Sequence, residues 1–347
     1  MHSAINGGMP SGLLGMLASQ SATVRQRMDT LSRQAATGQK SETYAGLGDG
    51  AKISLDLRPQ LQRIDIYSNN ISQADTKLQM TGSALQQLSD IASNFATQTI
   101  NMSAQTSPAV DSIAVQARLA LQQVQVLLNS QSGGAYLFAG QDSANQPVPD
   151  TELAVFVAAV QAPVVTLTNT NATATAAATL AAATATTVTA ATLGPTRSVI
   201  EADDGLDLAS GVVAGQNAYA VQSGGGSTGS YVKDLIRGLA TLAAMNSGQT
   251  ALGNGFTSFV TNIGATLKGA VSAIGTEMAG IGQQQSVLSM HKTALSDTAT
   301  ALNGQISSVE DVDMAATATA LSQVQTQLQA SYKLIASMQT MSLVGYL

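Results

Sequence analysis

The sequence predicts a mainly α protein, in which both chain ends form a long coiled-coil-like helical bundle and a small β-containing variable domain is inserted between them. Three observations support this fold class. Apolar or small residues recur every three or four positions over long stretches at both ends of the chain. Aromatic residues make up only 3% of the 347 residues, which suits helix-on-helix packing of Ala, Leu, Val and Met. The middle of the chain lacks this period and is rich in Gly, Pro, Ala and Thr.

Three helices are predicted in the N-terminal part. The first runs from about residue 12 to residue 36, where apolar or small residues alternate in steps of three and four. The second follows a similar stripe over residues 57–95, and Pro59 lies near its predicted start, where a missing N–H does no harm. Pro108 marks a break, and the third helix follows it on the stripe 113–127.

The C-terminal part shows the same pattern. A short helix is predicted around residues 231–245, a long one over 256–306 and a last one over 314–338. No proline follows Pro195, so these helices can run without interruption. A repeat sustained over so many turns predicts coiled-coil-like packing between helices.

Residues 141–230 differ in charge and in composition. They contain seven acids and one base, a net charge of −6, whereas the rest of the chain has 14 of each sign. Segments 164–168 and 198–200 are predicted to be short strands, and 223–230 a flexible linker. The Ala/Thr/Asn tract 169–194 has no charge, and propensity alone does not decide between helix and strand there.

The sequence predicts no catalytic, cofactor-binding or metal-binding residue. The chain has no Cys, and its two histidines, His2 and His291, lie far apart and outside any motif. The acidic segment 201–207 lacks the ligand spacing of a calcium loop and is interpreted as a solvated loop. We therefore expect no enzymatic activity and no cofactor.

Two local roles are predicted from residue type and position. The acidic residues of 310–313 are expected to cap the last helix, because carboxylates favour a helix N-terminus. Tyr136, Leu137 and Phe138, in a Gly-flanked turn, are expected to anchor the insert on the helical body.

Targeting signals and nucleic-acid binding are not indicated. The first 20 residues have no Lys or Arg and no continuous apolar core, unlike a secretory signal peptide. The best apolar run, 153–160, is too short to span a membrane. A net-acidic chain without a basic stripe is not expected to bind nucleic acid.

The C-terminal stretch EDVDMAATATALSQVQTQLQASYKLIASMQTMSLVGYL (310–347) resembles the C-terminal region of the bacterial flagellin family, which includes the hook–filament junction proteins. The shared features are an acidic pair, an Asp-Met-Ala turn, a Leu-x-x-x-Gln helix, Ala-Ser-Tyr and a closing Ser-Leu-aliphatic-x-Tyr-Leu. The N-terminal half fits the family in VRQRMDTLSRQAATGQK (24–40) and RIDIYSNNISQADTKLQMTGSALQQL (63–88). The resemblance covers roughly residues 12–140 and 231–347.

The resemblance implies a structural flagellar subunit that is exported unfolded by a type III route, without a cleaved signal, to the extracellular flagellum. It implies partners as well: further copies, neighbouring flagellar subunits and a cytoplasmic export chaperone that holds the C-terminal helix. The segment GAYLFAGQDSANQPV (134–148) is similar to an element of the hook-associated junction members. Segment 41–50 departs from the family's usual Ser/Pro-x-Asp-Asp. Filament flagellin itself is the alternative within the family.

The predicted division of the chain follows from the helical ends and the acidic middle. The expected parts are an N-terminal polymerisation helix (1–40), the first half of a helical core (41–140), a variable surface insert (141–230), the second half of the core (231–309) and a C-terminal polymerisation helix (310–347). The predicted assembly interface sets Leu14, Leu17, Val24, Met28 and Leu31 against Leu321, Val324, Leu328, Ile335 and Met338.

Two other classes of protein fit the sequence less well. Another type III secreted helical protein, such as a needle-tip or translocator component, would share the helical pattern, but translocators usually carry a long apolar segment. A hydrolase hidden in the insert is disfavoured, because residues 153–196 contain no ionisable side chain.

Overall fold

The computed structural model describes the chain in two compact units. The described residues are 10–102, 107–194, 196–221 and 226–344, with side chains described except at 10–14, 107–108 and 338–344. The two chain ends, up to Ile64 and from Ser296, form the first unit, which is called the terminal unit below. Residues Asp65–Leu295 form the second, called the central unit.

Most of the described chain is helical. The α-helices are α1 (Pro10–Thr37), α2 (Gly50–Met102), α3 (Ser107–Leu128), α4 (Asp150–Gln161), α5 (Ala172–Ala185), α6 (Tyr231–Ala243), α7 (Asn254–Glu310) and α8 (Met314–Val344). Short 3₁₀ helices lie at Tyr44–Leu47, Ala162–Thr166 and Ser247–Leu252. The mainly α fold class is therefore confirmed, and no described helix combines the length and the apolar character that crossing a bilayer requires.

The strands form two small antiparallel hairpins. In the first, β1 (Gln131–Ser132) pairs with β2 (Ala135–Tyr136). In the second, β3 (Ser198–Asp203) pairs with β4 (Leu206–Ser210), with Ser198 opposite Ser210 and a shift of register near Asp203. The second hairpin lies in the insert and confirms the strand predicted at 198–200.

The helical stripes predicted from the sequence form much of the core of the central unit. On α2 the predicted positions from Tyr67 to Phe95 are all buried, and Leu85 and Leu88 have no exposed surface. Helix α6 is buried at every residue except Lys233, because α3, α4 and α5 all pack against it. This short helix is therefore at the centre of the unit, a position that its length alone does not indicate.

Two predictions about the insert were tested by the fold. The strand predicted at 164–168 is wrong, because this segment continues α4 as the 3₁₀ helix Ala162–Thr166, which has Pro163 in its first turn. The undecided Ala/Thr tract contains α5, whose small side chains allow close packing against α4 and α6. Its buried residues follow helical spacing: Ala172, Thr175, Thr179 and Ala183.

The predicted place of Pro59 is also wrong, since α2 begins at Gly50 and Pro59 lies inside the helix. The apolar stripe begins at residue 57, but Ser54 is fully buried one turn earlier through a polar contact described below. Proline has no backbone N–H, so the carbonyl of Leu55, four residues before Pro59, receives no helical hydrogen bond. Pro59 and Leu55 are both exposed, so this missing hydrogen bond lies on an exposed side of the helix.

One aromatic residue and one carboxylate are fully buried where the insert meets the rest of the central unit. Phe138 is fully buried and its carbonyl accepts a hydrogen bond from Ala214 N, whereas Tyr136 and Leu137 are half-buried. The Glu277 Oε1 of α7, also fully buried, accepts hydrogen bonds from three consecutive backbone N–H groups at 218–220, at 2.8–2.9 Å. Three donors on Oε1 offset part of the cost of burying the carboxylate, whose other oxygen, Oε2, is buried and accepts no hydrogen bond from the described residues.

Candidate assembly site

Helices α1 and α8 pack against each other in the terminal unit and carry the residues of the predicted interface. Val324 and Leu328 are 4% and 8% exposed. The half-buried members are Leu17, Val24, Met28, Leu31, Leu321 and Ile335. Leu14 and Met338 lie in the two helices, but their side chains are outside the described part of the structure. A helix pair without further neighbours leaves its apolar stripes half-covered, and such surface is typical of interaction sites.

The two helices run antiparallel. The end of α1 meets the start of α8, where Val312 N donates to the carbonyl of Gly38 at 2.9 Å and Lys40 N donates to that of Glu310 at 2.7 Å. Further along the pair, the Arg25 guanidinium lies 5.9 Å from the centre of the Tyr332 ring, within the range of a cation–π contact. The chain ends are thus joined at one end of the pair by backbone hydrogen bonds.

A polar cluster made of Ser54, Arg58 and Glu310 lies below this junction, in the same unit. Arg58 Nη2 donates to Glu310 Oε2 at 2.6 Å and Arg58 Nε to Oε1 at 3.2 Å, while Ser54 Oγ donates to Oε1. The Glu310 side chain is 9% exposed and that of Arg58 is 48% exposed. The hydrogen bond from Arg58, then that from Ser54, lowers the pKa of Glu310, and the same contact raises the pKa of Arg58.

Lys40 also stabilises the C-terminal end of α7. Its ammonium donates to the carbonyls of Ser308 and Val309 at 2.8 and 2.9 Å, which are among the last carbonyls of α7. A cation at a helix C-terminus offsets the negative end of the helix dipole. Lys40, Ser54 and Arg58 were not singled out from the sequence. Only the burial of Ser54 could have been predicted, because it lies three residues before Leu57 and so continues the spacing of the α2 stripe by one turn.

The acidic segment before α8 has two separate roles. Asp313 Oδ1 accepts hydrogen bonds from Ala315 N and Ala316 N at 2.9 and 3.0 Å, which confirms it as the cap of α8. For Glu310 the predicted capping role is wrong, because its carboxylate is bound to Arg58 and Ser54 at the end of α7.

The other titratable positions considered from the sequence are in structural settings. The acidic segment 201–207 spans the turn between β3 and β4, and Asp204 Oδ1 accepts a hydrogen bond from Tyr67 OH at 2.8 Å. His291 is half-buried on α7, and His2 lies outside the described residues. The part of the chain that the structure describes holds no group of three or more His, Asp or Glu placed to bind a metal.

These features define a mainly helical protein whose two chain ends pack as an antiparallel pair and whose middle carries an acidic insert. Residues 264–347 match the family model of the bacterial flagellin C-terminal helical region, which includes most of α7 and all of α8. This part of the chain is therefore similar to the C-terminal helical region of bacterial flagellins, and the resemblance read from residues 310–347 is confirmed.

Comparisons with whole proteins give weaker similarities. No curated protein matched the sequence. A solved structure named as a flagellar hook-associated protein from Vibrio parahaemolyticus aligns at 14% identity and a TM-score of 0.47, covering 74% of this chain and 96% of that one. The structure of Bacillus cereus FlgL aligns at 16% identity and a TM-score of 0.39, covering 72% of this chain and 94% of that one.

Proposed function

We propose that this chain is a structural subunit of the bacterial flagellum that joins the hook to the filament. The observation that carries the proposal is the α1–α8 pair, in which a flagellin-type C-terminal region packs against the other end of the chain. The half-covered stripes of the two helices can be completed only by further protein, and copies of the same subunit would supply it.

The proposal assigns a different role to each segment of the chain. Residues 1–40 and 310–347 are the polymerisation segments, 41–140 and 231–309 form the helical core, and 141–230 faces solvent. The net charge of −6 of this last segment agrees with a solvent-facing position. The partners are further copies and neighbouring flagellar subunits, together with a cytoplasmic chaperone that covers α8 before type III export without a cleaved signal peptide.

A role in the filament itself is the second candidate, because filament subunits share the helical ends. Segment 134–148 favours the junction, since its Tyr-Leu-Phe-Ala-Gly sequence is similar to that of junction members. In the structure this segment follows β1 and buries Phe138.

Immunogold labelling of intact cells with an antibody against residues 141–230 tests the proposal. We expect one gold cluster at the base of each filament, and cells lacking the gene for this chain provide the control. Gold along the whole filament would assign the chain to the filament instead. Absence of flagellar label in cells that express the chain would overturn both functions.

A further inference from the structure

A pocket of about 280 Å³ lies between the β3–β4 hairpin of the insert and helix α7, within the central unit. Ile200 and Leu208 of the hairpin and Val287 and Leu288 of α7 form its apolar walls. Ile200, Leu208 and Val287 are half-buried, so part of their apolar surface remains uncovered. An apolar cavity of about 150 Å³ is large enough to bind benzene, so this pocket has room for one ring and a short polar arm.

Hydrogen bonds between α7 and the hairpin hold the two walls of the pocket together. Gln284 Nε2 donates to the carbonyl of Ala209 at 2.9 Å, and Gly211 N donates to Gln284 Oε1 at 3.1 Å. One side-chain amide thus binds both a carbonyl and an N–H of the hairpin backbone. Because Gln284 also lines the pocket, the pocket lies beside a fixed contact between its two walls.

Arg197 is the one charged residue among those that line the pocket. Its Nη1 donates to the hydroxyl of Tyr219 at 2.7 Å, and the guanidinium lies 5.2 Å from the centre of that ring. No carboxylate in the described part of the chain forms an ion pair with Arg197, which is half-buried. Its Nε and Nη2 have no hydrogen-bond partner among the described residues. These two nitrogens form an edge that can bind a carboxylate through two parallel hydrogen bonds.

The nearby acidic groups lie outside the pocket. Four acids of the hairpin are exposed, and none of them is in the lining: Glu201, Asp203, Asp204 and Asp207. Glu201 and Asp207 are each next to an apolar wall residue in the strand, so they lie on the opposite face of the hairpin. Glu277 of α7 is fully buried outside the lining, and its Oε1 binds the backbone at 218–220. The residues that line the pocket therefore carry one positive charge and no negative charge.

We propose that this pocket binds a small carboxylate whose apolar body is about the size of one aromatic ring. The carboxylate pairs with the Arg197 guanidinium, and the apolar body packs between Ile200 and Leu208 of the hairpin and Val287 of α7. The apolar walls disfavour a ligand with many hydroxyl groups, because most of these would find no hydrogen-bond partner. The site lies inside the central unit, so it does not depend on the proposed role in assembly.

Titration of the unchanged full-length protein with 3-phenylpropanoate, followed through amide chemical shifts in NMR spectra, tests the site. We expect saturable binding with a dissociation constant on the order of 1 mM, as for a weakly bound ligand of this size. The shifts should change at residues 197–210 and 280–288. The neutral analogue 3-phenylpropanol should bind about tenfold more weakly, because it cannot form the charged hydrogen bonds to Arg197.

Two substitutions remove the two parts of the site separately. Arg197→Gln removes the positive charge and should weaken the binding of 3-phenylpropanoate by about tenfold. Val287→Phe places a ring in the pocket and should abolish binding, because the space for the ligand is then filled. Lys268→Gln is the matched control, since it removes the same charge from an exposed position of α7 outside the pocket. It should change the dissociation constant by less than about twofold.

Unchanged affinity in Arg197→Gln or in Val287→Phe would overturn the site, as would equal affinity for the two ligands. Chemical-shift changes confined to other parts of the protein, or no saturation at about ten times the expected dissociation constant, would do the same. Circular dichroism shows whether each variant is folded. The comparison of the two ligands needs only the unchanged protein, so it decides the matter even where a variant does not fold.

Discussion

Among single residues, Glu310 is a carboxylate in an unfavourable position that side chains distant in the sequence stabilise. It is the last residue of α7, where the negative end of the helix dipole disfavours a carboxylate. Arg58 and Ser54 bind its two oxygens, and Lys40 caps the carbonyls next to it. The buried carboxylate is therefore compensated by groups from two other segments of the chain.

Glu310→Gln should loosen the start of α2 and the end of α7. The neutral amide loses the charged hydrogen bonds to Arg58 and Ser54, worth about 1–2 kcal/mol at neutral pH because Arg58 is half exposed. Hydrogen exchange measured by mass spectrometry should become about tenfold faster in peptides covering 50–60 and 300–310. Asp311→Asn, an exposed neighbour, is the control, and equal exchange in both variants would contradict the role of the Glu310 contacts.

The same contacts should depend on pH. The pKa of Glu310 is lowered below its ordinary value of 4.5, so its contribution to stability is present above that value. The contribution is lost as the pH falls through the lower pKa of the folded state. In an acid titration the unchanged protein should therefore lose protection at 50–60 over this range, and Glu310→Gln should show a flatter profile.

At the scale of the element, α7 is shaped to receive the last part of the insert. Glu277 accepts hydrogen bonds from the backbone at 218–220, and Gly280 lies under the ring of Tyr219 one turn later. A Cβ at Gly280 would be 2.2 Å from an atom of that ring. The glycine is thus required by close packing, although glycine weakens a helix interior.

Gly280→Ala and Gly282→Ala should have opposite effects on the stability of the central unit. At Gly280 the methyl group displaces Tyr219, which should lower the free energy of unfolding by about 1–3 kcal/mol. At Gly282, where nothing lies within 4 Å, Ala should raise it by about 0.5–1 kcal/mol through better helix propensity. Urea denaturation followed by circular dichroism measures both. A stabilising Gly280→Ala would show that the ring moves aside without cost.

At the scale of the whole molecule, the chain separates a central unit with a continuous core from a terminal unit built of both chain ends. The core of the central unit is complete in itself, since residues such as Leu85, Phe156, Tyr231 and Leu267 are fully buried. In the terminal unit the stripes of α1 and α8 are mostly half-buried. The helix pair whose apolar stripes are incompletely covered is the part proposed to assemble.

Leu328→Asp should separate folding from assembly. Leu328 is 8% exposed on α8, and a carboxylate placed there is desolvated without a partner. We expect the variant to be absent from flagella while residues 65–295 keep their helical circular dichroism and cooperative unfolding. Gln329→Asp puts the same charge on the adjacent exposed position and should be incorporated normally. Collapse of the entire helical signal in Leu328→Asp would contradict the division into units.

The helices and the sides that they bury could be predicted from residues close together in the chain. Apolar spacing is a local property, so the stripe of α2 from Tyr67 to Phe95 and the cap at Asp313 were predicted from neighbouring residues alone. The C-terminal flagellin region was likewise recognisable from 310–347 without a structure.

The contacts between distant side chains, and the conformation of segments with no strong local preference, depend on the folded chain. Arg58 and Glu310 are 252 residues apart, and their contact involves the part of α2 that precedes Pro59. The Ala/Thr tract became α5 because α4 and α6 give its small side chains a surface to pack on. Polar contacts between residues far apart in the sequence depend on neighbours in space, as does the conformation of segments without a strong preference for helix or strand. Hydrophobic periodicity and residue propensity describe only neighbours along the chain.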